Sequence, residues 1–191
     1  METHSFKNHR SDVQHLIHAI NTIGDNLVGL ELGVFRGESS MTILHNCSIK
    51  KLYLIDHWKP YYDFIKAVPD GRPSKIVNQI EAELNELLTR HAIKYSGMSE
   101  KVEIIKEDSL DAVRHIEDES LDFIFFDAML SEEQSFAEAM AYYRKIKKGG
   151  FFMGHDSDSV EQVMKPIERI KNHYNNNNSI HVYINSFLFK I

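Results

Sequence analysis

Cysteine is almost absent from this 191-residue chain. The single thiol, Cys47, excludes an intrachain disulfide and a cysteine-rich zinc site. Positive charge is in deficit, with 22 Lys and Arg against 28 Asp and Glu for a net charge of −6. Such a chain lacks the global basic field by which nucleic-acid binders attract phosphate. No apolar run approaches the roughly 18 residues of a membrane-spanning helix. The first ten residues carry His, Asn, Lys and Arg and no apolar centre, unlike a secretory leader, so the cytoplasm is the expected compartment. Internal repeats are missing, and the only low-complexity stretch is Asn175–Asn178, a polar loop. What is present is ordinary globular material, 42% hydrophobic and 26% charged, enough for one domain over 1–191 with a buried core.

Hydrophobic periodicity divides the chain into alternating strands and helices. Val13, Leu16, Ile17 and Ile20 have helical spacing and predict an amphipathic helix over Ser11–Asn21, within an N-terminal segment 1–27. Val28–Leu32 reads as a strand, followed by a turn at Gly33 and Gly37, a helix over Ser39–Cys47 and a second strand over Lys51–Asp56. His57–Pro73 holds Trp58, Pro60, Tyr61, Tyr62, Pro69 and Pro73, and 57–75 is a candidate lid or an aromatic-anchored surface loop. Ile76, Ile80, Leu84, Leu87 and Leu88 predict the next helix, with Ser74 as its N-cap. Strands follow at Val102–Lys106 and Leu121–Asp127, and the core of the latter, Phe123–Phe126, is continuously apolar as in a sheet covered on both faces. Between them Leu110–Ile116 reads as a short helix. Ser131 and Gln134 form a capping-box pattern before a helix with Phe136, Met140 and Tyr143 on one face, ended by Lys147–Gly150. A fifth strand begins at Gly150. Ser159 and Gln162 repeat the capping pattern before a helix that Pro166 kinks or delays, and Ile180–Asn185 with Ser186–Ile191 reads as a closing antiparallel hairpin. The whole is a doubly wound α/β domain with a mostly parallel sheet.

Open parallel sheets bind ligands at the carboxyl ends of their strands. Here those ends carry Glu31, Asp56, Asp108, Asp127 and, just past the fifth strand, Asp156. Each alone is common at a turn or N-cap. Together they make an acidic rim suited to a cationic or donor-rich ligand. The segment Gly33-Val-Phe-Arg-Gly37 lacks the spacing and the lysine of a P-loop. Against a dinucleotide fingerprint, Phe35 stands where glycine is usual and Glu31 would face a diphosphate. S-adenosylmethionine has no phosphate, and its sulfonium, ammonium and ribose diol all suit carboxylates.

Glu31-Leu-Gly33-Val-Phe35-Arg-Gly37 resembles the first motif of the class I S-adenosylmethionine-dependent methyltransferases, whose sheet is Rossmann-like. The ordered segments from Val28 to Ile191 continue the likeness. Phe125-Phe126-Asp127-Ala128, and Lys148-Gly149-Gly150 leading to His155-Asp156, are most similar to small bacterial O-methyltransferases of the macrocin and catechol types. The resemblance implies that Glu31, Gly33, Val34, Phe35 and Gly37 line the methionine end. It puts Asp56 on the ribose hydroxyls, His57 and Trp58 near the adenine, Asp108 and Ser109 at the adenine edge, and Asp127 by the sulfonium. The catechol-type pattern further implies a divalent cation, such as magnesium, on Asp127 and the His155-Asp156 pair. In this chain His155 replaces the leading Asp of that pair, and magnesium prefers all-oxygen ligation. Without a metal, His155 is the candidate general base.

Bland readings stand beside these. His155 can bond a backbone carbonyl, Asp156 can cap a helix, Trp58 can be a packing anchor, and Cys47 reads as a small core residue. His4, His9, His15 and His18 read as surface or core-edge residues. The loop Asp127-Ala-Met-Leu130 lacks the Pro-Pro-aromatic pattern of amino-methyltransferases acting on bases, and Cys47 is misplaced for pyrimidine carbon chemistry. The expected acceptor is therefore a hydroxyl of a small molecule: a sugar, a phenol or a secondary-metabolite precursor. Two other readings remain, a nicotinamide-dependent oxidoreductase and a non-catalytic cofactor-binding domain. The oligomeric state stays open.

Overall fold

The computed structural model describes residues 13–63, 75–127 and 131–191. Its elements are α1 (Gln14–Ile23), β1 (Leu27–Leu32), α2 (Glu38–Asn46), β2 (Ile49–Ile55), β3 (Tyr61–Asp63), β4 (Lys75–Val77), α3 (Gln79–Ser96) and β5 (Val102–Ile105). Then come α4 (Ser109–Ala112), β6 (Leu121–Phe126), α5 (Glu132–Tyr143), β7 (Ile146–His155), α6 (Lys165–His173), β8 (His181–Tyr183) and β9 (Ser186–Lys190). Seven strands form one sheet in the order β5-β2-β1-β6-β7-β9-β8. The first five run parallel, and β9 pairs antiparallel with β7 and β8. The expected doubly wound sheet and closing hairpin are both present.

Alternation along the central strands sends side chains to two cores. Leu30 and Leu32 of β1, Ile124 and Phe126 of β6, and Phe152 of β7 pack with Tyr142, Ile167 and Ile170 from α5 and α6. Phe123, Phe125 and Met153 face the other way, toward Leu16, Ile20, Met41 and Leu44 of α1 and α2. This two-sided demand explains the unbroken apolar run Phe123–Phe126 of β6. It also explains Gly29 in mid-strand, where an added Cβ would lie 2.1 Å from the Phe123 ring. Cys47 packs against the second core, and burial pushes its thiol up to about 12, an inert residue.

Local structure departs from the sequence reading in several places. Helix α1 buries Leu16, Ile17 and Ile20, and Val13 is buried just before it. The third helix starts later than expected, at Gln79, with Asn78 as N-cap in a reciprocal capping box with Glu81. Ile76 belongs to β4, which pairs antiparallel with β3. Ser74, and the lid candidate over 64–74, lie outside the described residues. Nor does α3 bury the predicted Ile80, Leu84, Leu87 and Leu88; it buries Ala82, Asn85, Thr89 and Ile93 instead. Helix α5 has the predicted Ser131–Gln134 capping box. Lys147–Gly150 does not end α5 but begins β7, because Lys145 and Ile146 turn straight into the ladder beside Leu121. Ser159 makes no side-chain cap. A turn of π-helix over Val160–Met164 precedes α6, and Pro166 stands in the first turn of α6, so the proline delays the helix. No helix of the described residues is long and apolar enough to cross a membrane.

Candidate active site

Strand order makes the site. β1 has β2 on one side and β6 on the other, so chain connections leave it in opposite directions and open a crevice at its carboxyl end. Across that edge the acidic residues line up as Asp108, Asp56, Glu31, Asp127 and Asp156, following β5, β2, β1, β6 and β7. The ladder continues into the rim, with Gly33 N–H donating to Ile55 O at 3.0 Å and Asp127 N–H to Leu32 O at 2.9 Å.

The turn after β1 is built on unusual backbone. Gly33, Phe35 and Gly37 have φ of 82°, 54° and 76°. The left-handed conformation strains Phe35, which lacks glycine's freedom. Several bonds hold it there. Asp56 Oδ2 accepts the N–H groups of Val34 at 3.0 Å and Phe35 at 2.9 Å. The Phe35 carbonyl accepts from Trp58 Nε1 at 2.9 Å and Thr89 Oγ1 at 3.2 Å. Space is tight at Gly37 as well, since a Cβ would meet Thr89 Cγ2 at 3.2 Å. Arg36 reaches back to Asn85 Oδ1 at 2.9 Å.

Two residues expected at the cofactor lie beneath the turn. Glu31 is fully buried beneath the turn, accepting the hydroxyls of Ser39 and Ser40 on α2. It faces α2 because strand alternation sends it to that side, opposite Leu30 and Leu32. Trp58 is 4% exposed, and its ring packs beneath the turn. Asp56 also takes the N–H of Trp58 on Oδ1 at 2.8 Å, so most of its accepting capacity already holds backbone. His57 is partly exposed and accepts the N–H of Lys59 on Nδ1 at 2.8 Å.

At the β5 end, Asp108 pairs with Lys59 Nζ at 2.7 Å, which holds its carboxyl below the usual range. Ser109 donates its hydroxyl to Glu138 of α5. Glu138 is 5% exposed, its Oε2 has no hydrogen-bond partner, and burial pushes its carboxyl up to about 7, opposed by Ser109 and reinforced by Asp108. Tyr142, one turn on, donates to the Ser109 carbonyl at 2.7 Å.

The remaining rim residues form a cluster. Asp127, His155 and Asp156 can each bring one donor atom within 4.8 Å of the others. His155 Nδ1 stands 3.1 Å from Asp156 Oδ1 and 3.5 Å from Asp127 Oδ1. Asn185, in the β8–β9 turn at φ 56°, places Nδ2 3.4 Å from His155 Nε2 and 3.3 Å from Asp156 Oδ1. Its Oδ1 is buried without a hydrogen-bond partner. Asp156 itself has φ 55°, a turn conformation rather than a helix cap. His15 of α1 bonds Ser186 Oγ at 2.5 Å and stacks on Tyr183 at 3.9 Å, and Ser186 pairs with His155 in the β7–β9 ladder. Ala128–Leu130 lie outside the described residues.

Sequence reasoning missed Glu138, Asn185 and Lys59. Glu138 had a legible signal, a glutamate in register with Ser135, Ala139 and Tyr142 on the buried face of α5. Asn185 had none beyond a turn-forming residue type.

The crevice, the glycine turn and the acidic rim define an α/β transferase-type site for a donor-rich cofactor. A model of the family described as a methyltransferase domain matches residues 30–157. The chain belongs to this family of S-adenosylmethionine-dependent methyltransferases. No curated sequence matches it significantly. Among solved structures it is similar to a putative methyltransferase from Streptococcus mutans in complex with SAH, at TM-score 0.67 and 8% identity, covering 95% of this chain and 98% of that one. It is also similar to a putative caffeoyl-CoA O-methyltransferase from Staphylococcus aureus, at TM-score 0.63 and 15% identity over 95% and 84%. The O-methyltransferase NovP gives TM-score 0.62 and 16% identity over 97% and 78%. At these identities the likeness is one of fold.

Proposed function

We propose that this protein transfers the methyl group of S-adenosylmethionine to a hydroxyl of a small molecule, with His155 as the general base. The observation that carries the reading is the His155 environment. Its Nδ1 faces two carboxylates, which favour an N–H there and leave the lone pair on Nε2. An acceptor oxygen attacks the methyl carbon in line, the carbon–sulfur bond breaks, and its electron pair stays on sulfur as the neutral thioether. Asn185 Nδ2, 3.4 Å from Nε2, yields that lone pair to the acceptor hydroxyl. The hydroxyl proton then passes to Nε2, and the carboxylates of Asp127 and Asp156 stabilise the imidazolium. Positioning of oxygen against methyl supplies most of the remaining rate.

The cofactor is assigned to Gly33, Val34, Phe35 and Gly37 at the methionine end, Asp56 at the ribose hydroxyls, His57 near the adenine, Asp108 and Ser109 at the adenine edge, and Asp127 beside the sulfonium. Glu31 and Trp58 support the turn from below. The same carboxylates also fit a divalent cation. The donor atoms of Asp127, His155 and Asp156 all lie within 4.8 Å of one another, and two carboxylates with an imidazole suit a borderline ion better than magnesium. Such an ion would lower the pKa of an acceptor hydroxyl and orient it.

A thermal-shift panel of S-adenosylmethionine, S-adenosylhomocysteine, NAD and NADP tests the cofactor. Stabilisation by the adenosyl compounds alone is the expected result, and stabilisation by NAD instead overturns it. Release of S-adenosylhomocysteine with a panel of sugars and phenols, with chelator and after addition of manganese or magnesium, separates the base from the metal.

A further inference from the structure

Helix α3 is turned the wrong way round for a surface helix of a monomer. Its buried face is small and polar, with Asn85 and Thr89 gripping the Phe35 turn. Its large apolar side chains point to solvent: Ile80 is 77% exposed, Leu87 62% and Tyr95 76%, with Leu84 and Leu88 also exposed. His91 joins them, its ring stacked on Tyr95 at 4.1 Å. At about 100° per residue these six side chains fall within one arc about 100° wide, running roughly 22 Å along the axis. They present on the order of 600 Å² of apolar surface, at the upper end of what monomers expose and near the roughly 800 Å² that each partner buries in a standard interface.

The charges along one flank of this stripe decide what covers it. Glu83 and Glu86 lie on its N-terminal half, Arg90 and Lys94 on its C-terminal half. When a helix packs on an antiparallel copy of itself across a two-fold axis, each flank meets the same flank reversed. Glu83 then faces Lys94 of the second copy, and Glu86 faces Arg90. Glu86 is already held within its own chain by Arg90 at 2.9 Å and Lys106 at 2.5 Å, so the Glu83 and Lys94 pairing carries the selectivity. The apolar residues obey the same dyad: Ile80 opposite Tyr95, Leu84 opposite His91, Leu87 opposite Leu88. A parallel pairing would set the charged flank against Ala92 and the Glu81 side and gain none of this.

We propose that the chain forms a homodimer through an antiparallel, two-fold α3–α3 contact centred between Leu87 and Leu88. The interface lies on the outer side of the helix that braces the glycine turn and leaves the crevice open. Sedimentation equilibrium of the full chain from low to high micromolar concentration should give twice the chain mass. Leu87→Glu, at an exposed position, should keep the circular-dichroism spectrum and weaken association at least about 100-fold, because two leucines leave the contact. Lys94→Glu should weaken it about tenfold, and Glu83→Lys added to Lys94→Glu should restore it. A wild-type monomer throughout, or a dimer indifferent to Leu87→Glu, overturns the proposal. A Glu83→Lys, Lys94→Glu chain no better than Lys94→Glu alone overturns the antiparallel register.

Discussion

Replacing Glu138 with glutamine should remove one contribution by which stability falls as pH rises from 5 to 8. Glu138 is buried between α5 and Ser109, and desolvation raises its carboxyl from 4.5 to about 7. The ionised form is therefore disfavoured by about 3 kcal/mol in the folded chain relative to the unfolded one. A raised acid contributes fully below 4.5, where both states are protonated. Its contribution is lost as pH rises toward 7, because the unfolded chain releases the proton first. Glutamine stays neutral and keeps an oxygen for the Ser109 hydroxyl. The variant should thus gain on the wild type with rising pH, by about 2 kcal/mol more at pH 8 than at pH 5, or about 4–8 °C in Tm. Paired thermal and urea melts of both proteins from pH 5 to pH 8 measure it. Parallel curves with a constant offset would show that Glu138 ionises normally and would refute the burial argument.

Other perturbations follow from the same contacts. Asp56→Ala strands the N–H groups of Val34, Phe35 and Trp58, so it should cost about 2 kcal/mol or more and weaken S-adenosylhomocysteine binding at least about tenfold by calorimetry. His155→Ala should leave that binding unchanged and reduce turnover about 100-fold, measured by S-adenosylhomocysteine release with an acceptor found by screening. An intact rate would remove His155 from the role of base. Gly29→Ala places a methyl against Phe123 and should destabilise by about 1–3 kcal/mol in urea melts, with no separate effect on the cofactor.

The strands were legible because each carries its own pattern. Leu121–Phe126 needs both faces covered, and the capping box at Ser131 and Gln134 announces α5 locally. Helix α3 was less legible. Its apolar spacing is helical, but spacing alone does not say which face turns inward, and the Phe35 turn holds Asn85 and Thr89 instead of the leucines. The burial of Trp58 was not legible either, because an aromatic after a strand looks the same in sequence whether it faces a ligand or packs beneath a turn.

Local sequence by itself determined the alternation of strands and helices, the glycine turn after β1 and the carboxylates at the strand ends, since periodicity, capping and turn chemistry act over a few residues. Only the tertiary structure decided which of those carboxylates meet. Strand order set Asp127 of β6 beside the His155-Asp156 pair after β7, and the returning hairpin brought Asn185 to them from 29 and 30 positions away. It also buried Glu31 under the turn that Asp56 holds. These contacts depend on long-range packing of the sheet, and no local pattern encodes them.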